Sequence, residues 1–252
     1  MANFLDLPSE LRNQVYGLCL LHQEPIDPQK PIFPWIGHNP RLKLTPGLFR
    51  TNKKVHLEAS SFFYAQNCFN FNKATAEEVA LFLGTIGRRN AGYIQHIYLN
   101  FPYLRDLEPG NVTLEDHSFK ILAKIQSSCT KLSTLTTSLY STNDMMLKLE
   151  ALDYPKIVSE ALTLVNTHFR AILSLQNIVV NVYENDLSEY IKKEMESYGW
   201  TVNTTEYVKE KWDTDRSFSD DEDDWRYDYG YGDEDGSYDI DNDSDFWRRA
   251  GD

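Results

Sequence analysis

Cysteine is scarce in this sequence, with Cys19, Cys68 and Cys129 the only three. An odd, widely spaced set without a CxxC pair excludes a disulfide framework and a thiolate zinc site, and each thiol lies in an apolar stretch where it reads as a small buried hydrophobe. No run approaches the roughly 18 uncharged apolar residues of a membrane span, so no membrane partner is expected. Residues 1–7 lack the basic flank and continuous apolar run of a signal peptide, which predicts an intracellular protein, cytoplasmic or nuclear. The sequons Asn111-Val-Thr113 and Asn203-Thr-Thr205 then read as chance matches, because glycosylation requires entry into the secretory pathway.

Signatures of catalysis are missing too. There is no GxSxG elbow. The six histidines, at 22, 38, 56, 96, 117 and 168, show no metal-ligand spacing with a third ligand nearby. Residues 84–92 carry Gly84, Gly87 and Gly92 with Arg88 and Arg89, but they precede a strand. A phosphate loop follows a strand and opens a helix, so that backbone N–H groups meet the anion. The segment reads instead as a helix C-cap and turn. No catalytic residue, metal site or cofactor is assigned, and the chain is expected not to be an enzyme.

Acidity, by contrast, is abundant and confined to one end. The formal net charge is −13 over 252 residues, yet from Asp213 onward there are 16 acids and 4 bases, leaving 22 acids and 21 bases in residues 1–212. A nearly neutral body gives no electrostatic reason to expect direct nucleic-acid binding. In the tail, Trp225, Tyr227 and Tyr229, and again Phe246 and Trp247, alternate with carboxylates. Dense like charge with few aliphatics predicts a disordered acidic C-terminal tail, 213–252. Its rings are candidate partner-binding residues and its charge suits basic protein partners. Ser217 and Ser219 stand before Asp220, Asp221 and Glu222, a pattern that fits an acidophilic kinase site. Asp239 to Asp245 is similar to a calcium loop but has Ser244 in place of the sixth-position glycine and Ala250 in place of the twelfth-position glutamate.

Hydrophobic periodicity organises the rest. Leu7, Leu11, Val15 and Leu18 recur at steps of four, four and three, one face of a short helix with Pro8 in its first turn. Six prolines between residues 24 and 46 exclude helix there, although Ile32, Phe33, Trp35 and Ile36 could make a short edge strand. A helix is predicted over 47–66, with Val55, Ala59 and Phe62 or Phe63 inward and Glu58 pointing away. Alternating units follow: a strand at 68–71, a helix at 75–86 opened by a Thr75/Glu78 capping box, a strand at 94–101, a helix at 114–127, a strand at 132–140, a helix at 155–173, a strand at 176–183, a helix at 187–198 and a short strand at 200–202. Helices between strands predict an α/β fold with a mainly parallel sheet of βαβ units. Unequal spacing between strands favours an irregular α/β layer over a fixed repeat. Ile94-Gln-His-Ile-Tyr-Leu and Leu175-Gln-Asn-Ile-Val-Val nevertheless resemble leucine-rich-repeat segments, and a short repeat-like arc is the alternative.

Two blocks resemble a known module. Phe4-Leu-Asp-Leu-Pro-Ser-Glu-Leu-Arg-Asn-Gln-Val-Tyr-Gly-Leu-Cys-Leu is similar to the opening of fungal F-box-like proteins. Leu48-Phe-Arg-Thr-Asn-Lys-Lys-Val-His-Leu-Glu-Ala-Ser-Ser-Phe-Phe-Tyr-Ala-Gln-Asn-Cys-Phe-Asn-Phe is similar to the second half of that module. The resemblance implies an F-box-like N-terminal module at 1–72 with a Pro-rich insert, followed by an α/β body at 73–212. In such proteins a compact trio of helices docks on the adaptor subunit of a cullin-RING ubiquitin ligase while the remainder captures substrate. By that resemblance Leu7, Pro8, Leu11, Val15 and Leu18 supply the adaptor-facing or core side of the first helix. The expected function is a protein-protein interaction protein, an F-box-like substrate receptor. The alternative is a nuclear or chromatin-associated binder of basic proteins through the tail.

Overall fold

The computed structural model describes residues 4–29, 46–152, 154–184 and 188–206, and structural statements concern these. The described residues fall in one compact unit, 1–208. The tail residues Trp225, Tyr227, Tyr229, Phe246 and Trp247, and the expected edge strand at Ile32 to Ile36, lie outside the described residues.

The chain opens with a 3-10 turn, Phe4–Asp6, and helix α1, Ser9–Leu20. A second 3-10 turn, Pro46–Arg50, leads into α2, Lys53–Gln66, whose first turn is capped by Asn52 Oδ1 accepting from the amides of Lys54 and Val55. Then follow β1 (Cys68–Asn70), α3 (Ala76–Ala91), β2 (His96–Leu99), a small antiparallel pair β3 (Leu104–Arg105) and β4 (Thr113–Leu114), and α4 (Asp116–Ser128). The remainder is β5 (Thr134–Thr137), α5 (Leu139–Ala151), α6 (Pro155–Arg170), β6 (Asn177–Tyr183), α7 (Glu189–Ser197) and β7 (Thr201–Thr205). The capping box at Thr75 and Glu78 is present in both directions. Past a kink at Gly87, where φ is +79°, α3 continues to Ala91, so the basic glycine segment belongs to a helix end rather than to an anion loop.

The fold is α/β, and its main sheet pairs its five described strands in parallel, in the order β1-β2-β5-β6-β7. Each strand is laid beside the one before it in the sheet, the order in which a repeat arc lays down its strands. Residues 1–72 supply the edge strand β1 of this same sheet, and Ile26 adds a parallel bridge to Phe69.

Period-two alternation decides which side is dry. Phe69, Ile97, Leu135 and Ile178 are register partners across four strands, each at most 1% exposed. They join a single hydrophobic cluster with the inward faces of α3 to α7, including Val79, Ile125, Met146, Val165 and Met195. Phe101, Phe169 and Trp200 close one part of it, the Phe101 and Phe169 ring centroids lying 6.3 and 5.6 Å from that of Trp200, whose indole N–H donates to Asn166 Oδ1 at 3.1 Å. The alternate row, Asn70, Tyr98, Thr136, Val179 and Thr201, takes one residue from each strand, and none of them is buried.

One expected element is corrected. The strand expected over 132–140 stops at Thr137, and α5 follows at once, where no helix was expected. Thr134, Thr136 and Thr137 are β-branched and extend the strand pattern, but Ser138 starts a helix: its carbonyl accepts from both the amide and the hydroxyl of Thr142. Met145, Met146 and Leu149 then face the core.

Truncation should separate the two sheet faces. Leu135→Ala is expected to cost about 2–5 kcal/mol of unfolding free energy in urea, whereas Thr136→Ala, the next residue on the open face, should stay within about 1 kcal/mol.

Candidate docking surface on the first helix

Helix α1 carries two side-chain rows at helical spacing. Leu11, Val15 and Leu18 form the apolar one. Arg12, Tyr16 and Leu20 form the other, and this mixed row is the buried one. The resemblance allows the apolar row an adaptor-facing or a core role, and in the structure it is not the core side.

Polar staples hold the helix by its inner row. The Arg12 guanidinium makes a two-pronged pair with Glu58 of α2, Nε to Oε2 at 2.8 Å and Nη2 to Oε1 at 2.9 Å, and its Nη1 donates to the Leu7 carbonyl. Tyr16 donates its hydroxyl to Glu58 Oε2 at 3.0 Å while its ring lies edge-on to Phe4 and tilted against Phe62. Glu58 was expected to point away from the core; it turns toward α1 because Arg12 gives a planar fork of donors that matches a carboxylate. At the far end Asn67, 1% exposed, donates to the carbonyls of Leu20 and Phe63, both at 2.9 Å, and accepts the His22 amide at 2.7 Å. These contacts tie the last turns of α1 and α2 together and satisfy carbonyls that a helix end leaves free.

The outer row is left to solvent. Leu11 is 44% exposed, Leu18 85% and Leu21, just past the helix, 52%. Pro8 is exposed, while Leu7 and Val15 are half-buried. Of the five residues singled out from sequence, Leu11, Val15 and Leu18 lie on the outward side of α1, while Pro8 is its N-cap rather than part of its first turn and Leu7 precedes it. Arg12, Tyr16, Glu58 and Asn67 were missed as a group. The i, i+4 spacing of Arg12, Tyr16 and Leu20 was visible, but Glu58 and Asn67 lie more than forty positions away and no local rule pairs them.

The electrostatics match this geometry. The hydrogen bond from Arg12 holds the Glu58 carboxyl below its ordinary value against the opposing effect of burial, and the bond to Glu58 raises Arg12 in turn. Burial, then the bond to Glu58, pushes Tyr16 up to about 12. Elsewhere burial pushes the Cys68 thiol to about 11 and Cys129 to about 12, which keeps both protonated and poor nucleophiles at neutral pH.

Among the described residues no three His, Cys, Asp or Glu side chains are grouped to hold a metal, and no helix is long and apolar enough to cross a membrane. A cavity of about 30 Å³ lies between Phe71, Asn100, Tyr103, His117 and Ile121, and an open depression of about 360 Å³ lies over Phe49, Arg50, Lys53 and His56. The first has room for about one water molecule. In comparisons with known protein families, curated proteins and solved structures, nothing matches this chain.

Because the folded-state pKa of Glu58 is depressed, its contribution to stability is present above the unfolded value of about 4.3 and is lost as pH falls through the folded value. Glu58→Gln should therefore melt below the parent protein at pH 7, and the gap should close below about pH 4, as read by thermal melts across that range. Leu18→Glu, on the outer row, should leave the melting temperature within a degree or two at either pH.

Proposed function

We propose that the chain is a non-enzymatic interaction protein, an F-box-like substrate receptor whose first helix docks on the adaptor of a cullin-RING ubiquitin ligase and whose α/β body captures substrate. One observation carries this reading: a helix anchored at both ends through its mixed inner row presents Leu11, Val15 and Leu18 outward. Apolar residues at steps of four and three on a rigid helix are the form in which a helix enters a partner's groove. The resemblance of residues 4–20 and 48–71 to fungal F-box-like proteins supplies the partner class. The implied trio of helices is represented by α1 and α2, which pack on one another; the Pro-rich stretch between them returns through Ile26 to the sheet edge, and residues 30–45 lie outside the described residues. The proposed setting is the cell interior.

A second reading rests on the tail, where −12 of the net −13 is concentrated. There the chain is a nuclear or chromatin-associated binder of basic proteins, with Trp225, Tyr227, Tyr229, Phe246 and Trp247 as contact residues and carboxylates that steer the encounter.

Affinity purification of the tagged protein from its native cells separates the two. The first reading expects a cullin adaptor in the eluate, reduced at least tenfold by Leu11→Glu with Leu18→Glu and unaffected by deletion of 213–252. No adaptor, under conditions that recover an established F-box protein, would overturn it. The second expects basic proteins that disappear when the tail is deleted.

A further inference from the structure

The open face of the sheet has a composition that the rest of the chain does not share. Its outward positions are Cys68 and Asn70 on β1, His96 and Tyr98 on β2, and Thr134 and Thr136 on β5. On β6 and β7 they are 177, 179, 181 and 183, then 201, 203 and 205. None of the thirteen is buried, and none is Asp, Glu, Lys or Arg. Charged residues make up 25% of the chain, so about three would stand there by composition. A solvated sheet face tolerates Lys and Glu, and exposed strands commonly carry charge to discourage pairing. Their absence leaves four asparagines, four threonines, two tyrosines and an imidazole, with Cys68 and Val179 among them, mostly the adaptable hydrogen-bonding chemistry of a recognition surface.

The amides are already organised across strands. Asn203 Nδ2 donates to Asn181 Oδ1 at 3.4 Å, Asn181 Nδ2 to the Thr137 carbonyl at 3.0 Å, and Asn177 Nδ2 to Thr134 Oγ1 at 3.5 Å. Each amide or hydroxyl keeps further donor or acceptor capacity toward solvent. Tyr183 packs edge-on to Tyr140, which is 76% exposed, so that rim offers aromatic surface as well.

The geometry points to this face as the capture surface for an extended, uncharged polypeptide segment of a partner protein. Formal charges brought against it would lose part of their water and find no counter-ion among these positions. A segment bearing main-chain amides and Asn, Gln, Ser, Thr or Tyr side chains meets side-chain donors and acceptors of its own uncharged kind. Four inter-strand spacings of about 4.8 Å make about 19 Å, the length of about six extended residues. This deepens the proposed receptor reading by naming the face and the class of segment captured. It rests on the body's role as an interaction module and not on adaptor docking.

The test is differential panning of a displayed library of random peptides, roughly eight residues long, on the full chain and on Tyr98→Lys with Thr136→Lys. Expected is a class of peptides retained by the parent and weakened at least tenfold on the double variant. That class should be depleted in Asp, Glu, Lys and Arg and should bind equally between about 50 and 500 mM salt. Tyr98→Gln with Thr136→Gln adds no charge and should retain the class within a few-fold. The inference is overturned if no such class is found, if its members are charged or salt-sensitive, or if the glutamine pair loses them as fully as the lysine pair. Leu18→Glu should leave peptide capture intact, so a failure of adaptor docking is read separately from a failure here.

Discussion

Phe69, Ile97, Leu135 and Ile178 stand side by side across four parallel strands, and keeping that row dry sets most of the architecture. Parallel neighbours can be joined only by crossovers, and helices α3 to α7 fill them. Their apolar faces join the inward row in one cluster. Parallel sheets covered on both faces read as continuous apolar runs, whereas β2, β5 and β6 alternate buried with half-exposed residues. A sheet of this pattern has one dry face and one wet one.

The N-terminal helices obey a different constraint. Interiors accept a charge only when it is paired and hydrogen-bonded, and Arg12 meets both conditions through Glu58 and the Leu7 carbonyl. Tyr16 completes the carboxylate's partners, and Asn67 fastens the opposite end. With the mixed row held in this way, the rotation of α1 about its axis is set. Leucines that would ordinarily form the core stripe are turned to solvent as a consequence.

Two exposed surfaces of opposite chemistry result: an apolar helix stripe, suited to a groove, and a charge-free polar sheet face, suited to an extended chain. Neither requires titratable chemistry, and the two thiols that burial holds protonated, Cys68 and Cys129, add none. The proposed receptor function calls for two such surfaces with distinct preferences, so that each proposed partner is rejected by the other's site.

Much of the fold was legible because its signals are local. Alternation marked β1 and β2, the Ile-Val-Val run marked β6, and β-branched threonines made the start of β5 strand-like; the helical period marked α1, α2, α4, α6 and α7; the Thr75/Glu78 box marked the start of α3. Helix α5 escaped because threonines carry a strand pattern up to Ser138, and only the tertiary demand for Met145, Met146 and Leu149 in the core ends it there. The sequence by itself determined that α1 exists, which residues share its faces, and that the strands alternate. Which face of α1 is buried was decided by tertiary structure, because the choice depends on Glu58 and Asn67 arriving from α2, and a partner brought by folding leaves no periodic trace along the chain. The uncharged sheet face is of the same kind: its residues are scattered from Cys68 to Thr205 and become one surface only when parallel pairing aligns them.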